Sequence, residues 1–179
     1  MCPLLLGILG SKNTGKSTFV VEASKALSLT GRKVAIIKFS HSHYSFEPNT
    51  KDSAIFHESS ATDIIFTSPF ETVIYKKTEN RLNIKNLKKF ISKEIDIILC
   101  ESYPSNFPVI PSIYTIKSKI DYEETKVRYK DFTPFLLTGI YSDNHTGVLD
   151  GIPVLKITNN TDASRILKLI LNQEEINRL

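Results

Sequence analysis

Eight consecutive residues, Gly10-Ser11-Lys12-Asn13-Thr14-Gly15-Lys16-Ser17, carry the clearest chemistry in the chain, fitting G-x-x-x-x-G-K-[ST] at every fixed position. Glycines at both ends let the backbone wrap closely with its N–H groups inward, forming an anion nest at the positive end of a following helix. Lys16 then reaches the β- and γ-phosphates of a nucleotide, and the Ser17 hydroxyl takes a place on Mg²⁺. The same pattern also arises as a plain glycine-bearing turn with a solvated lysine, so the flanking elements decide between the two.

Other residues could complete such a site. Glu101 closes the apolar run Asp96-Ile97-Ile98-Leu99-Cys100-Glu101. A carboxylate at a strand end can hold Mg²⁺ through water or polarise a nucleophilic water; the competing reading is a strand-end acid facing solvent. Glu47 and Asp52 are further candidates near the metal, although Asp52 before Ser53 also suits a helix start. His41 and His43 stand two apart without a third or fourth ligand at zinc spacing. Contact with a phosphate or an acidic substrate suits them better than zinc, and a solvated loop is equally open.

Guanine is distinguished by its N1–H and N2–H₂, which a carboxylate accepts together. The signature N-K-x-D is absent, because Lys117-Ser118-Lys119-Ile120-Asp121 does not match it. Asp143, after Tyr141-Ser142, is a candidate for the base, with a turn aspartate beside Asn144 as the alternative.

The elements that must position these residues are legible. Leu4 to Leu9 is a short apolar run suited to a buried parallel strand, and Phe19, Val20, Ala23, Ala26 and Leu27 recur at helical spacing. Gly31 suits a C′ position, and Lys33 to Lys38 reads as a second buried strand, completing a right-handed βαβ unit. Phe39 to Lys51 has no apolar periodicity and reads as a functional loop, with a short helix over Asp52 to Ser60. Asp63–Thr67 and Thr72–Tyr75 flank Ser68-Pro69-Phe70-Glu71 at hairpin spacing, which predicts an antiparallel addition at a sheet edge. A helix through Ile84, Leu87, Lys88 and Ile91, a strand ending at Glu101 and a strand from Val109 to Lys117 follow. Beyond them come a charged helix over Asp121 to Asp131, strands Phe135–Tyr141 and Pro153–Ile157, and a closing helix over Ala163 to Leu179.

At 179 residues, with neither repeat nor low-complexity linker, the chain is expected to form one domain, 1–179. Its 41% hydrophobic and 23% charged residues are those of an ordinary globular protein and exclude a disordered chain. A net charge of +4 without a dense Lys/Arg block suits an anionic ligand and gives no support to nucleic acid. Cys2 and Cys100 form neither a disulfide framework nor a zinc spacing, and no apolar run spans a bilayer. A cytoplasmic protein with no membrane partner is therefore expected.

With these residues in view, the chain resembles the molybdopterin-guanine dinucleotide biosynthesis protein B (MobB) family of P-loop GTP-binding proteins. The family's phosphate loop is matched by Gly10 to Thr18, its G-x-x-V-A-x-I-K strand by Gly31 to Lys38, and its histidine loop and G-K-D-S helix start by His41 to Ser53. Ser60-Ala61 falls on its Gly-Ala, and Cys100-Glu101-Ser102-Tyr103 on its V-E-G-F. Phe39 and Ser42 stand where the family has histidines, Glu47 for Asp, Thr50 and Ser60 for Gly, Phe56 for the helix histidine and Pro104 for a basic residue. These departures spare the nucleotide cradle and fall on the substrate or partner surface.

The resemblance implies an α/β, three-layer P-loop NTPase fold: a mostly parallel sheet flanked by helices, with an antiparallel edge hairpin. It implies GTP on Gly10, Ser11, Lys12, Asn13, Thr14, Gly15, Lys16, Ser17 and Thr18, Mg²⁺ near Ser17, Glu101 and Glu47, and the base at Asp143. Lys16 and Glu101 would carry whatever slow hydrolysis occurs, and His41, His43, Lys51 and Asp52 would form a substrate or partner loop. The implied role is that of an accessory in attaching GMP to molybdopterin, working with a nucleotidyltransferase and dimerising through its sheets, for which the hairpin-like strands Ile64 to Tyr75 are the candidate contact. Two other classes stay open: a small-molecule kinase on the same scaffold, which the scarcity of arginine disfavours, and an interaction module with a vestigial phosphate loop.

Overall fold

Residues 3–40, 61–78, 82–156 and 160–176 are described by the structure, a computed structural model, with side chains of the last helix described over 165–173. Contacts group the chain into two units, Met1–Phe39 with Ile91–Leu179, and Ser40–Phe90.

The first unit is built on strand β1 (Leu4–Leu9), helix α1 (Lys16–Leu29) and strand β2 (Val34–Lys38). The helix ends as its sequence predicts: Gly31, at φ 81°, donates to the Ser28 carbonyl at 3.0 Å and Arg32 donates to that of Leu27 at 3.3 Å, a Schellman closure. The second unit supplies strands β3 (Asp63–Thr67) and β4 (Thr72–Lys76) and the single turn α2 (Ile84–Leu87), continued by a 3₁₀ turn over Lys88–Phe90. The chain then re-enters the first unit as β5 (Ile97–Glu101), β6 (Ser112–Thr115), α3 (Lys119–Arg128) and β7 (Pro134–Thr138). A 3₁₀ turn over Ile140–Asp143, strands β8 (Gly147–Leu149) and β9 (Ile152–Val154), and helix α4 (Asn160–Ile176) complete it.

The main sheet has seven strands in the order β2-β5-β1-β6-β7-β9-β8, all pairs parallel except β8 with β9. Every residue of β5 and β6 is buried, as strands covered on both faces require. Leu6, Ile8, Ile97 and Leu99 pack with Phe19, Val20, Ala23 and Leu27 of α1 and with Ile166 and Ile170 of α4. Ile98 and Cys100, fully buried but absent from that cluster, alternate to the other face. The mostly parallel, helix-flanked sheet is thus the architecture expected from the sequence.

Several local expectations are revised. The β3–β4 hairpin is present, but as a two-stranded sheet of its own; the antiparallel edge of the main sheet is β8. Strand β7 stops at Thr138, where Gly139 turns to φ 95° and begins the 3₁₀ turn, so Tyr141 is not in a strand. The segment expected as a strand from Val109 is extended only over Ser112–Thr115, and the helix through Ile91 is broken after one α-turn. The predicted helix over Asp52 to Ser60 lies outside the described residues. Among the described residues no helix is long and apolar enough to cross a membrane.

Candidate functional site

The loop after β1 is shaped by three positive φ angles: Gly10 at 150°, Asn13 at 60° and Gly15 at 91°. Asparagine tolerates the left-handed region better than most residues, and Gly15 enters α1 as an N-cap without any side-chain cap. With no acid in the first turn either, the leading N–H groups of α1 and its positive dipole end are left for an anion.

The outer wall of this loop is braced from two neighbouring connections. Thr14, fully buried, shares a 2.7 Å hydrogen bond with the Thr115 hydroxyl at the end of β6. The Ser11 hydroxyl donates to Asp121 Oδ1 at 2.5 Å, while Asp121 Oδ2 accepts from the Lys117 N–H at 2.9 Å. Gly139 passes against the Thr14 carbonyl so closely that a Cβ there would lie 2.3 Å from it, and the next N–H, of Ile140, donates to that carbonyl at 3.3 Å. Only glycine fits this crossing, for both its space and its φ.

Lys16 folds back over the loop, its ammonium donating to the carbonyls of Gly10 at 3.2 Å and Ser11 at 2.5 Å. Burial lowers its pKa from the usual 10.5, opposed in part by the carboxylates of Glu101 and Asp121. An arriving phosphate would replace those carbonyls with a formal negative charge, which favours the protonated amine.

At the ligand edge of the sheet, Ile8, Glu101 and Lys38 are level in register on adjacent strands. Glu101 is buried, and its Oε1 accepts from the Ser17 hydroxyl at 2.9 Å and lies 3.4 Å from the Lys38 ammonium. Immediately after it Ser102 adopts φ 57°, a backbone state that non-glycine residues enter at a cost and that clusters at functional sites. A hydroxyl and a carboxylate are hard oxygen donors of the kind Mg²⁺ takes together with phosphate oxygens and water.

A cavity of about 260 Å³ beside the end of the loop is lined by Gly15, Thr18, Phe19, Glu22, Thr138, Gly139, Ile140, Asp143 and Lys156. Asp143 and Lys156 form a 2.7 Å ion pair at its wall, their side chains 42% and 45% exposed. Pairs this exposed contribute only about 0–1 kcal/mol to stability.

The structure therefore brings together Gly10 to Thr18 with Glu101, and sets Asp143 at the adjoining cavity. Ser11 and Thr14 turn their hydroxyls away from the nest to Asp121 and Thr115, while Lys12 and Asn13 are exposed. Glu47, His41, His43, Lys51 and Asp52 lie outside the described residues. Sequence reasoning missed Asp121, Lys38, Gly139 and Lys156. The sequence reads Lys117 to Asp121 as a failed match to a base-recognition motif and Asp121 as the start of a charged helix, whereas Ser118-Lys119-Ile120-Asp121 is a helix-start pattern whose acid turns inward.

A family model described as Molybdopterin guanine dinucleotide synthesis protein B matches residues 5–133. No curated protein sequence matches the chain. Among solved structures, one of molybdopterin-guanine biosynthesis protein B (mobB) is similar with a TM-score of 0.67 at 17% identity, covering 94% of this chain and 99% of that one. The structure of Bacillus subtilis MobB is similar with a TM-score of 0.64 at 16% identity, covering 92% and 96%. A MobB protein homolog from Bacillus stearothermophilus gives 0.67 at 14% identity, covering 94% and 98%. At these identities the likeness shows a shared fold.

Proposed function

The chain belongs to the molybdopterin guanine dinucleotide synthesis protein B family, and from that membership we propose that it binds GTP and Mg²⁺ at residues 10–18 and assists a nucleotidyltransferase that attaches GMP to molybdopterin. Its own hydrolysis is slow at most. It works as a cytoplasmic homodimer on a guanine nucleotide.

The observation that carries this reading is the 2.9 Å contact between Ser17 and Glu101, which joins the phosphate loop to the acid of the neighbouring strand. Ser17 and Glu101 would hold the metal, which when bound supplies charge neutralisation for the β- and γ-phosphates. The chain's own residues do the rest. The N-terminal N–H groups of α1 and Lys16 orient the phosphates, and the bracing of Ser11 and Thr14 keeps the loop open before ligand arrives. The guanine would enter the adjoining cavity against Phe19 and Ile140, its N1–H and N2–H₂ donating to Asp143. The cavity is somewhat under the roughly 300–1,000 Å³ of a whole small-molecule site, a size for one ring system whose phosphates lie outside it.

One observation favours the kinase as a second reading: Lys38 places a further ammonium beside Glu101, where a transferring phosphoryl group would need cations. Calorimetric titration with GTP and ATP in Mg²⁺ separates these ideas when combined with a pull-down of a molybdopterin nucleotidyltransferase. Guanine preference with capture of the transferase is expected. Equal affinity for both nucleotides, or turnover stimulated by a small acceptor without any partner protein, would overturn the proposal.

A further inference from the structure

Resting on the guanine reading above, we propose that Lys156 is a specificity-determining residue, its ammonium donating to the 6-oxo group of the base while Asp143 takes the adjacent N1–H and N2–H₂. The two side chains stand 2.7 Å apart at the wall of the cavity beside Gly15 and Thr18. They present, side by side, one cationic donor and a carboxylate with two acceptor oxygens. The edge of guanine reads acceptor, donor, donor, the complement of that set.

Adenine reverses it: its 6-amino group would face the ammonium donor, and its unprotonated N1 would face the carboxylate. Lys156 thus adds rejection to recognition, since an adenine at this wall leaves a cation and a carboxylate facing like groups. Pairing with Lys156 does not exhaust Asp143, because each carboxylate oxygen has two lone-pair sites and Oδ1 can serve both the ammonium and the base. Ile140, 49% exposed, and Phe19, at the cavity wall, offer apolar surface to the faces of the ring.

The test uses the full chain and three nucleotides: GTP, inosine triphosphate, which lacks the 2-amino group, and 6-thioguanosine triphosphate, which keeps N1–H and N2–H₂ and replaces the 6-oxo oxygen by sulfur, a weaker acceptor. Wild type should prefer GTP over the 6-thio analogue by roughly three- to tenfold, a part of the weight of one hydrogen bond to a charged group. Lys156→Met keeps the apolar stem and should erase that preference, while Lys156→Arg should retain much of it. Asp143→Asn should instead erase the preference for GTP over inosine triphosphate. If Lys156→Met leaves the GTP to 6-thio ratio intact, or lowers only the inosine ratio, Lys156 does not read the 6-position and the proposal falls while Asp143 stands. If wild type itself shows no preference among the three, the guanine reading fails first. Both side chains are well exposed, so the variants are expected to melt like wild type, which thermal unfolding checks.

Discussion

Ser11 and Asp121 meet through a 2.5 Å hydrogen bond across 110 residues of chain, with the carboxylate 2% exposed. The bond ties the phosphate loop to the first turn of α3, and the other oxygen of the same carboxylate holds the Lys117 N–H. Asp121→Ala removes a buried acceptor from two donors, which should cost about 2–4 kcal/mol, or roughly 5–15 °C in a domain of this size. Nucleotide affinity should fall with it. A thermal melt unchanged by the substitution would show that the bond does not brace the loop.

Glu101 accepts from Ser17 and faces Lys38 and Lys16, so its charge matters to both cations and metal. Glu101→Gln is nearly isosteric and should shrink the gain in GTP affinity that Mg²⁺ confers by about tenfold or more, with little change in the affinity measured in chelator. Titrations with and without Mg²⁺ read this directly. An undiminished Mg²⁺ effect would remove Glu101 from the metal site.

Burial holds the Lys16 pKa below 10.5. Since the folded state disfavours the charged amine, this group's penalty to stability is full below its folded pKa and is relieved as pH rises toward 10.5. Ligand binding runs the opposite way, because a phosphate needs the ammonium. GTP affinity should therefore weaken with rising pH beginning below 10.5, earlier than for an ordinary lysine. Lys16→Arg, which stays charged, should flatten the alkaline limb even if affinity drops overall. A flat profile in the native protein would contradict the placement of Lys16.

Tyr103 is fully buried, its hydroxyl has no partner among the described residues, and burial pushes its pKa up to about 12. Its ring packs edge-on against Phe39, Phe107 and Phe132 at 5.5–6.1 Å. Tyr103→Phe keeps the ring and removes an unsatisfied polar group, so it should stabilise by about 1 kcal/mol, roughly 2–4 °C. Differential scanning calorimetry would settle the sign, and a lower melting temperature would mean the hydroxyl has a partner.

Much of the framework was legible because it is local. The phosphate loop, its flanking strand and helix, and the Gly31 closure follow from spacing within a few residues. The β8–β9 hairpin carries an equally local signal: Asp150 and Gly151, both at positive φ, are an Asp-Gly two-residue turn between short apolar runs. Other parts were not local. That Lys38 faces Glu101 depends on β2 lying beside β5, and no spacing along the chain reveals strand order. Gly139 reads in sequence as a residue inside a strand, whereas its real constraint is the Thr14 carbonyl, 125 residues earlier. Asp121 reads in sequence as the first residue of a charged helix, whereas its side chain turns inward to the phosphate loop.

The sheet order has a consequence for how the protein is made. Strands β1 and β2 are synthesised first, yet they never pair with each other, because β5 lies between them. Leu4–Leu9 must wait about 90 residues for Ile97–Glu101, on the order of 5–20 s at a ribosome's pace of roughly 5–20 residues per second. Through that interval an apolar strand ending in the phosphate loop has no sheet to join, and its capture by chaperones or by other nascent chains competes with folding. The segment on which ligand binding depends is thus left unpaired during synthesis, and yield should respond to translation rate and temperature before activity does.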